Sequence, residues 1–430
     1  MLDIRFIREN TDLIRKNLER RRDSAKLEAF GRFLALDERT RVLQKEVQDL
    51  RTQRNRLSRE VGKLKKSGQD DPRLVEQSNE VNKRISEIER ETDETRAELK
   101  KIQMSIPNIL HESVPYGVDD GDNEVVREWG GRPEYAFKVQ SHVDLLESLD
   151  IGDLARAAKV AGARFYYLKN ELVMLDLAMQ QMALEMLRKK GYTLIYPPFM
   201  LRREPYEGVT DLADFEDVMY KIEGEDLYLI ATSEHPIAAM YMGEILEPDE
   251  LPLRLAGVST CFRKEAGSHG KDTKGIFRVH QFNKVEQFIF SHPDESWQIH
   301  EELIRNEEEC VQALKLPYRI VNVCTGDIGI VAAKKYDLEY WFPGQQKYRE
   351  GGSCSNCTAY QATRLGIKYR IKKGGTEKAF LHTLNSTMMA NPRTLVAVLE
   401  VYQQEDGSVK IPSALHKYLP SGMKEIAPGA

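Results

Sequence analysis

The chain has 430 residues, enough for a large buried core and for two domains. Charged residues make up 30% of it and hydrophobic residues 41%, and the formal net charge is −5, so the overall charge gives no reason to expect nucleic-acid binding. No apolar run reaches the roughly 18 residues of a membrane helix, the first residues carry charges where a signal peptide is apolar, and five cysteines, an odd number, favour reduced thiols. These features predict a cytoplasmic protein with no membrane partner.

The first 106 residues are predicted to form a helical domain. In the opening segment, 1–21, four apolar residues lie on one face at helical spacing, namely Ile7, Leu13, Ile14 and Leu18. This spacing predicts a single amphipathic helix before the next element.

A heptad pattern then predicts an antiparallel coiled-coil arm from about residue 34 to residue 106. Its two legs are separated by the helix-breaking sequence SGQDDPR. The apolar a/d residues are Leu36, Leu43, Val47, Leu50, Leu57, Val61 and Leu64 in the first leg, and Leu74, Val81, Ile85, Ile88, Leu99, Ile102 and Ile106 in the second. Polar residues occupy the remaining seam positions: Thr40, Arg54, Ser78, Thr92 and Thr95.

The two legs differ in charge. Asp37–Lys66 contains ten Lys or Arg against five Asp or Glu, whereas Arg73–Lys101 contains seven against eight. A solvated coiled-coil surface is the ordinary reason for such a charge run, and contact with a phosphate backbone is the other. Charge alone leaves both interpretations open.

A turn-rich linker, 107–140, precedes a mixed domain at 141–430. A long helix ending at Gly191 is followed by short alternating segments that have no helix between each pair. This order predicts an α+β fold with a mostly antiparallel sheet flanked by helices. The predicted strands are DLYLIAT, LRLAGVSTCF, NKVEQFIF, YRIVNVC and KAFLHTL.

The stretch TCFRKEAGSHGKDTKGIFRVHQF, residues 260–282, lies between two of these strands. It combines several Lys and Arg residues with Gly267, Gly270 and Gly275. The pattern predicts a strand–loop–strand hairpin open to an anionic ligand, because a guanidinium group suits bidentate phosphate contact and glycine allows close approach. A solvated hairpin without a ligand is the alternative.

A second arginine points to the same kind of ligand. Asn391 and Pro392 are predicted to form the N-cap and first position of a helix, which places Arg393 in its first turn. A cation is disfavoured there by the helix dipole, so an anion is expected nearby. An ordinary surface arginine is the alternative.

These stretches resemble the motifs of class II aminoacyl-tRNA synthetases. FRKE…FRVHQF resembles motif 2, NPRTLVAVLE resembles the arginine helix of motif 3, and GYTLIYPPFM resembles motif 1. With ATSEHP, KVEQF, REGGSCSN, HTLN and the arm, the whole chain resembles the seryl-tRNA synthetase family. The resemblance implies an α+β fold with the class II synthetase type of sheet, and a homodimer with Pro198 at its interface.

The resemblance also implies an ATP site and a serine pocket. Arg263 is expected at the α-phosphate of ATP, Phe282 on the adenine with Glu265 beside it, and Arg393 at the γ-phosphate. The implied ATP-binding residues are Arg263, Lys264, Glu265, Arg278, Val279, Phe282, Glu350, Gly351, Gly352, Ser353 and Arg393, with Arg263, Glu350 and Arg393 as the catalytic residues. The implied serine-binding residues are Thr232, Ser233, Glu234, Arg263, Glu286, Asn385 and Thr387. Glu350 and Ser353 are expected to hold Mg²⁺.

The reaction implied by the family is ATP-dependent ligation of L-serine to tRNA(Ser) through seryl-adenylate, with serylation of tRNA(Sec) also implied. The arm is expected to bind the tRNA by shape. Two other functions stay open: a paralogue that activates a small amino acid for a non-tRNA carrier, and an inactive RNA-binding scaffold. The intact arm counts against the first. The presence of Arg263, Glu265, Glu350 and Arg393 together counts against the second.

Three details differ from the residues usual in the family's motifs or suggest other chemistry. Thr387 occupies a position where serine is expected, and Gly351 and Gly352 stand where relatives often carry larger residues. CSNC, Cys354–Cys357, has the spacing of half a zinc site. Because no second CxxC follows, reduced thiols are favoured over zinc.

Overall fold

The computed structural model describes residues 1–68, 71–210, 218–265, 272 and 274–428. The chain divides into two compact units, Met1–Pro107 and Asn108–Ala430. No helix within the described ranges is long and apolar enough to cross a membrane.

The first unit is helical and opens with two short helices. They span Ile4–Glu9 and Thr11–Arg20, so the prediction of one continuous helix is wrong. The chain turns at Asn10, whose side-chain amide donates to the carbonyl of Phe6 at 3.0 Å. The turn rotates the second helix, so Leu13 is 44% exposed although the other predicted face residues are buried.

The coiled-coil prediction is confirmed by two long antiparallel helices, Ser24–Lys66 and Pro72–Ser105. The first leg begins before the heptad pattern does, because Phe30 and Phe33 in its first turns are fully buried. Apolar seam residues form two clusters, one of Leu43, Val47 and Ile88 and the other of Leu57, Val81 and Ile85.

Polar seam residues are accommodated by bonding to their own helix. The hydroxyl of Thr40 donates to the carbonyl of Leu36 at 2.8 Å, and that of Thr92 donates to the carbonyl of Ile88 at 2.7 Å. The hydroxyls are therefore satisfied without a partner in the facing leg, as buried polar groups require. This local bonding explains how the heptad seam tolerates threonine.

The second unit is built on strands and helices that alternate irregularly. Its strands within the described ranges are β1 Glu124–Trp129, β2 Gly152–Asp153, β3 Tyr167–Leu168, β4 Thr193–Ile195, β5 Met200–Leu201, β6 Tyr228–Leu229, β7 Ile245–Leu246, β8 Leu253–Phe262, β9 Gln281–Ser291, β10 Tyr318–Asn322, β11 Lys334–Phe342, β12 Lys347–Asn356, β13 Lys368–Arg370, β14 Lys378–Phe380, β15 His382–Ala390, β16 Val409–Lys410 and β17 Glu425–Ile426. Its α-helices in those ranges are His142–Ser148, Leu154–Ala161, Glu171–Lys189, Arg203–Val209, Glu234–Ala239, Ser296–Ala313, Tyr360–Leu365 and Asn391–Tyr402.

Eight strands form the main sheet in the order β1-β10-β11-β12-β15-β9-β8-β4. All its neighbours pair antiparallel except β4 and β8, so the predicted mostly antiparallel α+β sheet is confirmed. Its apolar core is completed by residues of the helices Glu171–Lys189, Ser296–Ala313 and Asn391–Tyr402. The helices therefore fix the strands that carry the candidate site.

Some strand predictions need correction. KAFLHTL divides at Leu381: β14 joins a small sheet with β13 and β7, whereas β15 joins the main sheet. DLYLIAT contributes only Tyr228–Leu229 as a strand. β11 and β12 were not predicted, because charged residues interrupt the apolar alternation of β11 and glycines interrupt that of β12.

Candidate active site

The hairpin predicted around residues 260–282 is formed by β8 and β9. Next to the loop that connects the two strands, Cys261 pairs with Phe282 and Phe262 pairs with Gln281. Residues 266–271 and 273, which include the predicted Gly267 and Gly270, lie outside the described residues. On the near side of the loop, Arg278 donates to the Glu265 carboxylate at 2.7 Å.

Arg263 extends from the end of β8 over the hairpin. Its guanidinium carbon lies 5.1 Å from the centre of the Phe282 ring, and its Nε donates to the carbonyl of Ala231 at 3.3 Å. A cation held over an aromatic face is fixed in position and keeps its remaining donors for a ligand.

Arg393 approaches from the opposite side. Its Nη1 lies 3.1 Å from Glu350 Oε2 and 3.1 Å from the Glu350 carbonyl oxygen, and its guanidinium lies 5.2 Å from the centre of the Phe277 ring. The charge of Arg393 lowers the pKa of the Glu350 carboxyl well below its usual range. The predicted anion beside Arg393 is thus supplied by the protein itself, at least in part.

The start of the Arg393 helix differs from the prediction. Asn391 is fully buried and belongs to the helix, and its side-chain amide donates to Asp176 Oδ1 at 2.9 Å and to the Asp176 carbonyl at 2.8 Å. The predicted N-cap role for Asn391 is therefore wrong: Ala390 is the N-cap residue, and the side-chain oxygen of Asn391, the atom that would cap the helix, has no hydrogen-bond partner among the described residues. Pro392 lies in the first turn, as Pro commonly does.

Asp176 joins the three regions that carry the motifs. It lies on the helix Glu171–Lys189, and its Oδ2 also accepts from Asn283 of β9 at 3.1 Å and from Gln180 at 2.9 Å. Burial raises the pKa of this carboxyl, against the effect of its amide partners. Sequence reasoning missed Asp176, since an acidic residue on an apolar helix gave no motif.

One cavity brings most of the predicted ATP-binding residues together. Its lining is Arg263, Glu265, Phe277, Arg278, Val279, Phe282, Lys284, Glu350, Gly351, Gly352, Ser353, Thr387, Ala390, Pro392 and Arg393. Every predicted ATP-binding residue except Lys264 is in this set. Phe277 and Lys284 were not predicted, although Lys284 stands beside Val285 and Glu286 in a stretch that sequence analysis had singled out.

Three of the predicted serine-binding residues, Glu234, Glu286 and Asn385, form a hydrogen-bonded group beside that cavity. The Asn385 amide donates to Glu234 Oε2 at 3.1 Å and to Glu286 Oε1 at 3.3 Å, and Lys284 forms an ion pair with Glu286. Burial, with the Glu286 carboxylate nearby, raises the pKa of Glu234 to about 7. Lys284 lines the cavity and also pairs with Glu286, so the group adjoins the cavity.

Two residues of the predicted serine-binding set contact the backbone or pack in the protein core. The hydroxyl oxygen of Thr232 accepts from the backbone amide of Glu234 at 3.2 Å. Ser233 is fully buried, and a Cβ on Gly257 would lie 2.6 Å from its Oγ, so its side chain faces β8. Sequence alternation could not distinguish these orientations within one turn.

Two oxygen donors that suit Mg²⁺ line the cavity. Glu350 and Ser353 both line it, and Ser353 pairs across the strands with Asp337, whose buried Oδ1 has no hydrogen-bond partner among the described residues. Carboxylate and hydroxyl oxygens fit a cation that keeps several waters and binds substrate phosphates. Within the described residues, no group of three or more His, Cys, Asp or Glu side chains is placed to hold a metal ion.

The CSNC cysteines are buried and free. The thiol of Cys354 lies 3.7 Å from the carbonyl oxygen of His300, and burial raises its pKa well above the usual range. Burial does the same for the pKa of Cys357. Protonated, buried thiols are poor zinc ligands and poor nucleophiles.

Pro198 lies on an exposed part of the motif 1 segment. Apolar side chains near it in sequence are also exposed, with Tyr196 76%, Met200 43% and Leu194 41% exposed. On the neighbouring helix Glu171–Lys189, Leu177 is 52% exposed. Such a group of large exposed apolar residues is typical of a protein–protein interface.

Comparison with known families gives two matches. Residues 1–110 match the family described as seryl-tRNA synthetase N-terminal domain, and residues 218–402 match the family described as tRNA synthetase class II core domain (G, H, P, S and T). Together the matched segments cover more than half of the chain.

Individual proteins are similar over the whole length. A serine–tRNA ligase of Methanocella arvoryzae is 53% identical over 419 residues, which are 97% of this chain and 99% of that protein. A crystal structure of seryl-tRNA synthetase from Pyrococcus horikoshii complexed with ATP is 50% identical, with a TM-score of 0.94 and full coverage of both chains. A cytoplasmic serine–tRNA ligase from Naegleria fowleri in complex with AMP is 38% identical, with a TM-score of 0.87 and coverage of 100% of this chain and 99% of that chain.

Proposed function

Because the chain belongs to the seryl-tRNA synthetase family of class II aminoacyl-tRNA synthetases, we propose that it ligates L-serine to tRNA(Ser) with ATP through a seryl-adenylate intermediate. The observation that carries the proposal is the convergence of Arg263 and Arg393 on one cavity that continues into the Glu234–Asn385–Glu286 group. A nucleotide and an amino acid bound there would be in contact.

ATP is proposed to bind between the two arginines. Phe282 offers an aromatic face for the adenine, with Glu265 and Arg278 beside it. Arg263 would hold the α-phosphate and Arg393 the γ-phosphate, so the chain of phosphates would be held from both ends. Support for this assignment comes from the lining of the cavity and from the ATP complex of the similar Pyrococcus horikoshii enzyme.

Mg²⁺ is proposed to bind with the phosphates at Glu350 and Ser353. When bound, the ion would neutralise phosphate charge. Arg393 already lowers the pKa of the Glu350 carboxyl, so this carboxylate is ionised at neutral pH and available to a cation. In the ligand-free arrangement Glu350 and Arg393 pair with each other, and we expect ATP to separate them.

Serine is proposed to bind in the Glu234–Asn385–Glu286 group. The two carboxylates would accept hydrogen bonds from the ammonium and hydroxyl groups of serine, and Thr387 would close the pocket. A pocket built to bind a hydroxyl rejects an analogue without it by about 10⁴-fold or more, which would exclude alanine. Threonine would be excluded by lack of space.

The first reaction follows from these positions. The serine carboxylate attacks the α-phosphorus in line, an oxygen–phosphorus bond forms, and the bond to the β-phosphate oxygen breaks to release pyrophosphate. The nucleophile is already ionised, so positioning and charge stabilisation suffice, and Arg263 is placed to stabilise the negative charge on the α-phosphate oxygens. A hydroxyl of the terminal ribose of the tRNA then attacks the seryl carbonyl carbon, an ester bond forms, and the bond to AMP breaks to release AMP.

The arm is proposed to bind the tRNA. Pairs across its legs, such as Arg51–Glu89 at 2.7 Å and Arg84–Glu46 at 3.0 Å, use acidic residues of both legs. Farther along the first leg, six basic residues form no ion pair with another described residue: Arg54, Arg56, Arg59, Lys63, Lys65 and Lys66. Such a basic segment suits a phosphate backbone, and it supports the nucleic-acid interpretation of the charge difference.

The protein is proposed to act as a cytoplasmic homodimer. The exposed apolar residues around Pro198 and Leu177 support a second copy as the partner. Five buried free cysteines support a reducing compartment. On family resemblance alone, we extend the proposal to tRNA(Sec).

Charging of transcribed tRNA(Ser) with labelled serine tests the proposal. Wild-type protein is expected to charge tRNA(Ser), and Arg263→Ala is expected to lose this activity while keeping its melting temperature. Transcripts of tRNA(Sec) and of a tRNA with a short variable arm are compared in the same assay. If none of the three transcripts is charged with serine, the proposed function is refuted.

A further inference from the structure

One buried carboxyl beside the candidate site has no role in the reaction above. Glu307 lies on the helix Ser296–Ala313, is 2% exposed, and accepts one hydrogen bond, from the Ser386 hydroxyl to its Oε2 at 3.3 Å. Burial, with Glu286 nearby, raises its pKa well above the usual range, which favours the protonated, uncharged carboxyl. Uncharged, it can occupy an interior position without an ionic partner.

Glu307 reaches the sheet where β12 has no side chain. A Cβ placed on Gly352 would lie 2.0 Å from Glu307 Oε1, a distance that no pair of such atoms tolerates. The same Cβ would lie 2.9 Å from Thr387 Cβ and 3.0 Å from Thr387 Cγ2. The Glu307 carboxyl, the Gly352 backbone and the Thr387 side chain are therefore packed against one another.

This contact is directly behind the proposed serine pocket. Ser386, which donates to Glu307, stands between Asn385 and Thr387 on β15. Asn385 bonds both pocket carboxylates, and Thr387 lines the cavity. A shift of Ser386 would move both neighbours.

We propose that Glu307 is a positioning residue for the serine pocket: its carboxyl fills the space left by Gly352 and, through Ser386, fixes where Asn385 and Thr387 stand. This inference rests on the proposed function. It also explains why glycine can occupy position 352: the helix behind the sheet supplies the volume that a side chain on β12 would otherwise provide.

The inference predicts a separation between the two substrates. Arg263 and Phe282, which would hold the α-phosphate and the adenine, lie on β8 and β9 and do not depend on Glu307. Loss of the Glu307 side chain should therefore raise the KM for serine and leave the KM for ATP nearly unchanged. The space opened behind Thr387 should also improve threonine activation relative to serine.

The test is serine-dependent exchange of pyrophosphate into ATP by Glu307→Ala, Glu307→Gln and Glu309→Ala. Glu309 is on the same helix and exposed, so Glu309→Ala is the matched control. Glu307→Ala is expected to raise the serine KM at least about tenfold, the effect of a small volume change in a specific pocket, with the ATP KM within about twofold. Glu307→Gln, uncharged and of equal size, should stay near wild type.

Melting curves and a second substitution keep the test decisive. Gly352→Ala is expected to raise the serine KM by pushing on Glu307 and Thr387, and in the Glu307→Ala background its further effect should be smaller, because one of the two contacts is gone. Additive effects would overturn the inference. So would equal changes in the serine KM and the ATP KM of Glu307→Ala, or a Glu307→Gln variant as impaired as Glu307→Ala.

The failure of the inference is distinguishable from that of the proposed function. If wild-type protein shows no exchange with serine, the proposed function fails. If wild-type protein exchanges with serine but folded Glu307→Ala keeps the wild-type serine KM, the inference alone fails. If Glu307→Ala does not fold, Glu307→Gln and Gly352→Ala decide, and an unchanged serine KM in Gly352→Ala overturns it.

Discussion

Serine use should depend on pH through Glu234. Its carboxyl is hydrogen-bonded by Asn385 and Gln361, yet burial and the neighbouring Glu286 raise its pKa to about 7. Only the ionised carboxylate can pair with the serine ammonium group. At pH 6 about a tenth of the free enzyme would have Glu234 ionised, and at pH 8 about nine tenths, which predicts a roughly ninefold rise in kcat/KM for serine.

The sign of the linked stability effect is opposite. Because the folded-state pKa of Glu234 is raised above its ordinary value of 4.5, the protonated group stabilises the ligand-free protein at low pH, and this contribution is lost as the pH rises toward about 7. Serine binding favours the ionised form. The increase in melting temperature caused by serine should therefore grow between pH 6 and pH 8.

The assay is pyrophosphate exchange at saturating ATP, with serine varied between pH 5.5 and pH 8.5. Glu234→Gln should lose the pH dependence and about tenfold to a hundredfold of kcat/KM, the cost of removing a hydrogen bond to a charged group. Glu309→Ala controls for charge removal on the surface. A wild-type profile that is flat from pH 6 to pH 8, or a Glu234→Gln profile with the wild-type slope, would refute the reasoning.

Three further predictions concern the arm, the core and the dimer. Replacing residues 44–87 by a short turn keeps Leu43 facing Ile88 at the base of the arm. Serine-dependent pyrophosphate exchange should survive this change, while tRNA charging should fall about a hundredfold or more. Equal loss of both activities would contradict the separate roles of the arm and the active site. Asp176→Ala removes the carboxylate that accepts from the amides of Asn391 and Asn283. Urea denaturation should therefore show a loss of about 1–3 kcal/mol in the free energy of unfolding, and an unchanged midpoint would contradict this. Leu177→Arg should shift the mass measured by light scattering from dimer toward monomer. Val126→Asp, on β1 at the edge of the main sheet opposite β4, should not change this mass. The same mass for both variants would count against the proposed interface.

Elements with a strong local pattern could be predicted from the sequence. The heptad legs and the β8–β9 hairpin were recognised because their apolar spacing repeats and their breakers are unambiguous. β11 and β12 were missed because a strand in the middle of a sheet takes its stability from both neighbours, and its own pattern can then be irregular. The break at Asn10 depends on a side-chain bond to the backbone that no periodicity reveals.

The charged residues that line the cavity could be predicted from the sequence, whereas the residues outside the recognised motifs could not. Arg263, Glu350 and Arg393 were recognised from ordered motifs, and the structure brings them to one cavity. Asp176 and Glu307 were missed because they act through contacts between distant segments, on helices whose patterns describe only packing. Ser233 was included in the predicted serine-binding set together with its motif neighbours Thr232 and Glu234, and in the structure its side chain faces β8.

The most direct measurement is amino-acid-dependent exchange of pyrophosphate into ATP, with serine, alanine, threonine, cysteine and glycine compared on folded protein. Exchange that depends strongly on serine, with alanine and threonine lower by several orders of magnitude, is the predicted result. Exchange with another of these amino acids would keep the ATP site and contradict the assignment of Glu234, Glu286 and Asn385 to serine. No exchange with any of the five would contradict the proposed chemistry as a whole.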